Sequence, residues 1–456
     1  MATLAEAGLP AARTRGHLLK VLGPAFGLAV AIGNTIGVGI LRTPGEIAAR
    51  LPTPGLFLGA WVAGGLYALL GAISLAELGA MLPRSGGQYV FVRRALGAYP
   101  GFVVGWSDWI STCATISAVA IVTAEYLGVL VPTLAARQVA VAFALVLGFS
   151  MVLWRGVRWG DVVQQFTSLM KGLALVGLVL AVFLLGGGRP PEGNPSPVPH
   201  GLALFTALVI AMQGVIYTYD GWTGPIYFSG EVRDAGRDVP RALMGGVLLV
   251  AGIYLLLNVA FLYVLPMSRL AHEPFVAGAA AAAVFGARGD TIIRIIMVIS
   301  AIASICANIL MAPRVTLAMA YDRLLPAAVT RINPGGTPTT STLLSIAIAL
   351  AFIATGTFDR ILALLAFFFV ANYLLSFTSV FVLRRREPGL SRPYRAWGYP
   401  WTTGFALFGS AAFLVGQVAG DTRNSLLSLL LLGLSYPVFR AVRRGGTEDS
   451  GNGPNA

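Results

Sequence analysis

Three glycines lie within seven residues of a long apolar stretch near the amino terminus, at Gly33, Gly37 and Gly39. Each glycine weakens an α-helix by about 1 kcal/mol relative to alanine, so the cluster predicts a local interruption of a helix. An interrupted helix exposes N–H groups with partial positive charge and C=O groups with partial negative charge. Such a site could bind a ligand that carries both charges. Close helix packing through Gly33 and Gly37 is the alternative interpretation.

A second interruption lies between Gln213 and Pro225, where glycines and a proline again break an apolar stretch. Paired interruptions in the two halves of a membrane protein point to the substrate site of a transporter that is built from inverted repeats. The pair therefore favours a binding site over helix packing. We expect N–H groups around residues 37 to 39 to receive a carboxylate, and carbonyls near residues 32 to 35 and 217 to 219 to receive an ammonium. The predicted substrate-binding residues are Ile32, Asn34, Thr35, Ile36, Gly37, Val38, Gly39, Tyr217, Thr218, Tyr219, Asp220, Gly221 and Trp222.

Several ionisable residues lie within apolar stretches. A lysine at mid-membrane costs about 2.5 to 3.5 kcal/mol on insertion scales, so we expect Lys171 to be paired and functional. The alternative is that its side chain extends from the inner membrane face. Asp220, within the second interruption, either caps the second half of that helix or provides a counter-charge for a cationic ligand side chain. Asp108, Glu125 and Glu77 lie nearer the ends of apolar stretches and are expected to be interfacial or paired.

The composition indicates what kind of elements hold these residues. Of 456 residues, 56% are hydrophobic and 11% are charged, and the mean hydropathy is +0.77. These values exclude a secreted, disordered or fibrous protein, and they favour a chain that lies in a bilayer. The net charge of +13 does not indicate a nucleic-acid partner, because the Lys and Arg residues fall in short clusters between apolar stretches.

Apolar stretches bounded by charges, proline and glycine predict an all-α polytopic membrane protein with twelve spans. The spans start near residues 22, 55, 99, 138, 161, 202, 241, 291, 339, 360, 400 and 424. An even number puts both termini on one side, and the Arg clusters in alternate connections place that side in the cytoplasm. The predicted divisions are a cytoplasmic tail at 1–20, a first repeat at 21–186, an outer loop at 187–200, a second repeat at 201–386, two further spans at 387–444 and a disordered cytoplasmic tail at 445–456.

The remaining reactive residues do not favour an enzyme. Cys113 and Cys306 both lie within apolar stretches, which gives neither a disulfide framework nor a metal-ligand spacing. The polar residues of the spans provide no convincing nucleophile with a base and no phosphate-binding loop. We therefore predict no enzymatic activity, no metal and no cofactor. A channel is disfavoured because it has no need of paired half-helices.

Three segments contain residue patterns that membrane insertion alone does not explain. They are residues 33 to 44, residues 77 to 89, and residues 219 to 222 followed by Pro240-Arg241-Ala242. Together they resemble the amino acid, polyamine and organocation (APC) superfamily, and in particular its bacterial amino acid permeases. Val38 stands where this family often has Ser or Thr, so backbone N–H groups remain as the expected ligands of the carboxylate.

The resemblance implies twelve transmembrane helices in a LeuT-type 5+5 inverted repeat, with broken helices 1 and 6. In that family, a span 5 lysine occupies the region where sodium-coupled relatives hold an ion between spans 1 and 8. Lys171 is therefore expected to bond to carbonyls of span 1 and to Ser300 or Ser304 of span 8. Transport is accordingly expected to be independent of sodium.

The resemblance also implies a function. We expect a secondary transporter of L-amino acids in the inner (cytoplasmic) membrane, which works by alternating access as an exchanger or as a proton-coupled permease. The alternative is a polyamine or cationic-metabolite carrier of the same fold. That carrier would require several acidic groups around its site, and the sequence makes only Asp220 obvious.

Overall fold

The computed structural model describes residues 24–154, 158–188, 197–271, 273–333, 337–355 and 358–448. The predicted tail at 1–20, residues 189–196 of the predicted outer loop and residues 449–456 of the second tail lie outside these ranges. Within them the chain forms helices and no β-strand, and the only pairing of extended residues is an isolated bridge between Ile332 and Pro338.

The first half of the chain forms seven helices. Proline begins the third of them, at Pro54, where a missing backbone N–H costs no helical hydrogen bond. The helices are α1 (Pro24–Thr35), α2 (Gly39–Arg50), α3 (Pro54–Met81), α4 (Gln88–Leu96), α5 (Ala98–Leu130), α6 (Gln138–Trp154) and α7 (Arg158–Leu185).

The second half begins after the outer loop. The helices are α8 (Gly201–Tyr219), α9 (Gly224–Tyr227), α10 (Ala235–Val264), α11 (Met267–Leu270), α12 (Val276–Phe285), α13 (Ala287–Tyr321), α14 (Thr339–Thr355), α15 (Phe358–Arg386), α16 (Trp401–Gly420), α17 (Thr422–Gly433) and α18 (Ser435–Glu448). The last described helix, α18, includes residues up to Glu448, and the tail predicted from residue 445 lies mostly outside the described residues.

Nine helical segments among the described residues are long and apolar enough to cross a membrane. They are Pro54–Met81, Ala98–Leu130, Pro132–Trp154, Gly201–Tyr219, Ala235–Val264, Ala287–Tyr321, Ile361–Arg386, Trp401–Gly420 and Thr422–Val442. Three other predicted spans are not among these nine. The first is divided between α1 and α2, and the apolar parts of α7 and α14 are Leu169–Leu185 and Thr339–Ala354. The protein is thus an all-α polytopic membrane protein.

Two long helices form the centre of the bundle. The 33-residue α5 packs against α13, α15 and α14, and the 35-residue α13 also packs against α7. Around them, α1 packs along α10 and α7, α3 packs along α10, and α2 packs along α8. The two helix pairs, α1 with α2 and α8 with α9, therefore pack against long continuous helices.

Candidate functional site

The structure interrupts both helices where the sequence predicts, and it places the two interruptions in contact. Residues 36–38 separate α1 from α2, and residues 220–223 separate α8 from α9. Gly221 has a φ of +107°, which glycine adopts without steric cost. A Cβ at this position would lie 2.7 Å from the carbonyl carbon of Asn34, so the contact requires glycine.

Tyr254 of α10 joins the two interruptions. Its hydroxyl lies 2.7 Å from the carbonyl oxygen of Thr35 and 3.2 Å from that of Thr218, and its side chain is fully buried. The Oγ1 atoms of Thr218 and Thr43 are 2.8 Å apart, which links α8 to α2 directly. Sequence reasoning missed Tyr254, because it lies in a continuous helix and no local pattern marks it.

The first interruption leaves backbone donors unused. Among the described residues, no backbone or side-chain oxygen accepts a hydrogen bond from the N–H groups of Gly37 or Val38. Free N–H groups at the start of a helix carry partial positive charge and bind anions. A Cβ at Gly37 would find its nearest neighbour, Ser304 Oγ, at 3.9 Å, so Gly37 is not a position of unusually close packing. These N–H groups are able to receive a ligand carboxylate.

Several carbonyls that were expected to receive an ammonium already accept hydrogen bonds within the protein. The carbonyl of Ile32 accepts from the N–H of Ile36 at 2.8 Å, and the carbonyl of Gly33 accepts from Lys171. The carbonyls of Thr35 and Thr218 accept from Tyr254 as described. Each of these carbonyls retains one lone pair and can still accept a hydrogen bond. A carboxylate in the same cavity would nevertheless be a stronger acceptor for a substrate ammonium than these carbonyls.

Lys171 is bonded to the backbone around the first interruption, and it does not line the cavity described below. Its Nζ lies 3.0 Å from the carbonyl oxygen of Gly33, 3.2 Å from that of Ile36 and 2.9 Å from Ser304 Oγ. The side chain is 2% exposed, so it does not extend to the inner membrane surface. Ser300 lies one turn away on α13, and no hydrogen bond joins it to Lys171 in the described part of the chain.

Both interruptions line one cavity, and part of the predicted set lies in its wall. The predicted residues that line it are Asn34, Thr35, Gly37, Val38, Gly39, Tyr217, Thr218, Asp220, Gly221 and Ser304. Other predicted residues do not line it. Ile36 is buried, Tyr219 donates a hydrogen bond to the carbonyl of Trp61 at 3.1 Å, and Trp222 packs against Tyr373 with ring centroids 5.3 Å apart. Ile32, Lys171 and Ser300 are also absent from the wall.

Asp220 is held by an aromatic hydroxyl. Tyr373 of α15 donates a hydrogen bond to its Oδ1. The following helix, α9, has Thr223 as its N-cap residue, so Asp220 does not occupy the capping position that one of the two hypotheses required. Its carboxylate instead lines the cavity.

A second carboxylate lies in the same cavity. Asp108 was expected to be interfacial or paired, and it is paired with a hydroxyl: Tyr227 donates to its Oδ1 at 2.6 Å. The residue is not interfacial, because α5 begins at Ala98 and Asp108 lies about three turns into the helix. Sequence reasoning also missed other residues of the wall, which are Gln88, Thr112, Thr115, Val119, Thr223, Tyr227, Asn308, Met311 and Phe369. The hydroxyl groups of Thr112 and Thr115, within the apolar stretch that forms α5, were the available signal for these wall residues.

The other two carboxylates named from the sequence are paired away from the cavity. Glu77 is 1% exposed and accepts from Arg384 Nε at 2.9 Å, and from the backbone N–H of Ala396 at 2.6 Å. Glu125 accepts from Arg42 at 2.7 Å. Both contacts join separate helices, so these residues have structural partners.

Two interrupted helices that line one cavity are the arrangement of a polytopic membrane transporter of the broken-helix class. Residues 26–435 match the family described as Amino acid permease, and the chain belongs to that family, within the APC superfamily. The family predicted from the sequence motifs is confirmed.

Individual relatives are amino acid transporters. The serine/threonine exchanger SteT of Bacillus subtilis (strain 168) is 28% identical over 436 residues, which cover 94% of this chain and 98% of the relative. The b(0,+)-type amino acid transporter 1 of Homo sapiens is 30% identical over 268 residues, which cover 57% of this chain and 54% of the relative. The Asc-type amino acid transporter 1 of Homo sapiens is 26% identical over 406 residues, with coverages of 85% and 76%.

Proposed function

We propose that the chain is a secondary transporter of L-amino acids that works by alternating access and does not need sodium. The observation that carries this proposal is the pair of unused N–H groups at Gly37 and Val38, which border the cavity shared by both interruptions. A carboxylate is the substrate group that such donors favour. A polyamine has no carboxylate, so the same geometry argues against the polyamine alternative. The names of the relatives agree with an amino acid substrate.

Sodium independence rests on Lys171. Its ammonium bonds to the carbonyl of Gly33 in α1, to that of Ile36 in the first interruption and to a hydroxyl of α13. Oxygen atoms of these kinds are the ligands that a small cation would use. A fixed charge at this place makes a bound cation unnecessary and electrostatically unfavourable.

We further propose twelve spans with two five-span repeats. The first would contain the α1–α2 pair, α3, α5, α6 and α7, and the second the α8–α9 pair, α10, α13, α14 and α15. An interrupted helix at the start of each set supports this assignment. The last two spans would be α16 and the α17–α18 pair, with both termini in the cytoplasm.

Alternating access needs contacts that open on one side while those on the other side close. On the proposed outer side, Arg42 of α2 binds Glu125 of α5 at 2.7 Å. On the proposed inner side, Arg314 of α13 lies 3.3 Å from Glu231, which follows α9. The first ion pair joins α2 to a long continuous helix, and the second joins the segment after α9 to another, so each could break when the interrupted helices move.

A second inner contact centres on Asp322, at the end of α13. It accepts from the hydroxyl of Tyr89 at 2.9 Å and pairs with Arg93 at 2.7 Å. Burial and the Asp322 carboxylate raise the pKa of Tyr89, so Tyr89 stays protonated and keeps donating. This contact would hold α4 to α13 while the inner side is closed.

Uptake into reconstituted vesicles tests the proposal. Vesicles are loaded with an unlabelled L-amino acid mixture or with buffer alone, and uptake of labelled L-amino acids is measured in sodium and in choline salts. We expect equal uptake in the two salts. Dependence on internal amino acid would identify an exchanger, and stimulation by acidic external pH in empty vesicles would identify a proton-coupled permease.

Two results would contradict the proposal. Uptake that requires sodium would remove the role given to Lys171. Absence of uptake of every amino acid tested, from protein that is monodisperse before reconstitution, would refute amino acid transport itself.

A further inference from the structure

We propose that Asp108 and Asp220 together form a two-carboxylate subsite, which selects amino acids that carry a second positive charge on the side chain. This inference rests on the proposed transport of amino acids and extends it to a substrate class. The class is that of L-lysine, L-ornithine and L-arginine.

The first observation is an unused oxygen. Asp108 is 3% exposed, and Tyr227 donates to its Oδ1. Its Oδ2 has no hydrogen-bond partner among the described residues, although the atom is buried and the residue lines the cavity. An ionised carboxylate at such a place is unfavourable unless a cation or further donors approach it. The neutral hydroxyl of Tyr227 satisfies only one of the two oxygens.

The second observation is the charge of the cavity wall. Among the described lining residues, Asp108 and Asp220 are acidic and none is basic. The buried cation Lys171 is bonded to two carbonyls and to Ser304. Arg314 is paired with Glu231. The described protein therefore supplies no cation to either carboxylate, and a cationic ligand is what would provide one.

The third observation is the arrangement of opposite charges within one cavity. The N–H groups of Gly37 and Val38 receive the substrate carboxylate in the proposed function. A neutral amino acid brings one ammonium for two acidic side chains, whereas lysine brings two. Charge-assisted hydrogen bonds to a carboxylate are among the stronger contacts in proteins, so the second ammonium adds affinity in this cavity.

The test uses two substrates that differ by one group. L-Norleucine has the chain of L-lysine without the side-chain ammonium. Uptake of both is measured in reconstituted vesicles with the unmodified protein and with Asp108→Asn, whose amide oxygen still accepts from Tyr227. We expect the unmodified protein to prefer lysine, and Asp108→Asn to lower lysine uptake about tenfold or more while norleucine uptake changes less than about twofold.

A matched control is Asp290→Asn. Asp290 pairs with Arg294 four residues on in α13, and it does not line the cavity. This variant should leave the preference for lysine unchanged. If Asp108→Asn does not yield monodisperse protein, competition against labelled lysine by L-norleucine and Nε-acetyl-L-lysine on the unmodified protein gives the same test. Both should compete at least about tenfold less well than unlabelled lysine.

Three outcomes would overturn the inference. One is uptake of norleucine by the unmodified protein without preference for lysine, which would leave amino acid transport intact. Another is an equal loss of both substrates in Asp108→Asn, as expected if Asp108 only positions Tyr227 or carries a coupling proton. The third is an unchanged lysine preference in Asp108→Asn. Failure of all amino acid uptake would instead refute the proposed function.

Discussion

At the scale of single residues, Lys171 has the clearest predicted consequence. Its three acceptors lie in α13, near the end of α1 and in the first interruption, so the side chain holds the backbone around the interruption in place. Replacement by alanine would leave buried carbonyls of Gly33 and Ile36 without their donor, at about 1 to 3 kcal/mol for each lost partner. We expect Lys171→Ala to reach the membrane and to lose at least about nine-tenths of amino acid uptake, measured per mole of reconstituted protein.

The two serines of α13 provide the control for Lys171. Ser304 accepts from Lys171 at 2.9 Å, whereas no bond joins Ser300 to it in the described chain. Ser304→Ala should therefore reduce uptake more than Ser300→Ala. Normal uptake by Lys171→Ala, or equal effects of the two serine substitutions, would contradict the role assigned to Lys171.

The contribution of the Tyr254 hydroxyl to the stability of the fold can be measured separately. Tyr254→Phe keeps the ring but removes the donor that reaches Thr35 and Thr218, so we expect a loss of about 1 to 3 kcal/mol in the free energy of unfolding. Thermal unfolding in detergent measures it. The matched control is Tyr126→Phe, because the hydroxyl of Tyr126 is buried without a hydrogen-bond partner among the described residues. Equal effects of the two substitutions would show that the hydroxyl of Tyr254 has no special contribution.

At the scale of elements, the contact between the interrupted helices depends on Gly221. An alanine would require a positive φ of +107° and would bring Cβ to 2.7 Å from Asn34. We expect Gly221→Ala to separate the interruptions and to abolish uptake, with a lower unfolding temperature. Gly177→Ala is the control, because a Cβ there meets nothing within 4 Å on an exposed face of α7. Uptake by Gly221→Ala at the level of Gly177→Ala would contradict the contact.

The sequence predicts the two helix interruptions better than it predicts which other residues line the cavity. Glycine clusters and a mid-span lysine are local signals, and the structure places Gly37, Gly221 and Lys171 at or beside the cavity. The orientation of individual side chains is not local. Tyr219 follows Thr218 directly, yet successive helical residues point about 100° apart, so Thr218 lines the cavity while Tyr219 reaches Trp61.

Residues that continuous helices contribute to the wall could not be found in this way. Tyr254 reaches the site because α10 packs along α1, and Asp108 reaches it through its hydrogen bond with Tyr227 of α9. Both contacts are properties of the assembled bundle. The depth of Asp108 also depends on where α5 begins, which apolar stretches alone do not define. The sequence therefore offers Asp220 as one counter-charge for a cationic side chain, and only the structure adds Asp108 to the same cavity.

At the scale of the whole molecule, Glu77 connects the two halves of the chain. It lies in α3 and binds Arg384 of α15, Arg392 at 3.3 Å and the backbone N–H of Ala396. Because Glu77 is 1% exposed, Glu77→Gln would leave buried arginine charge without its partner. We expect a loss of about 3 kcal/mol in the free energy of unfolding, visible as a lower unfolding temperature in detergent.

The control for Glu77 is a surface ion pair. Arg94 lies 2.9 Å from Glu387, and the Arg94 side chain is 55% exposed. Arg94→Gln should cost less than about 1 kcal/mol, since exposed ion pairs are weak. Equal destabilisation by Arg94→Gln and Glu77→Gln would mean that burial does not strengthen the Glu77 contacts.

The central claim for the whole transporter is that free backbone N–H groups at the first interruption receive a substrate carboxylate. The most direct measurement compares amino acids with the amines that remain after the carboxylate is removed. Competition for uptake is measured with L-leucine against 3-methylbutylamine and with L-lysine against cadaverine. We predict that both amino acids compete and that both amines compete at least about a hundredfold less well, because they lack the carboxylate that these donors bind. Amines that compete as well as their parent amino acids would contradict the account.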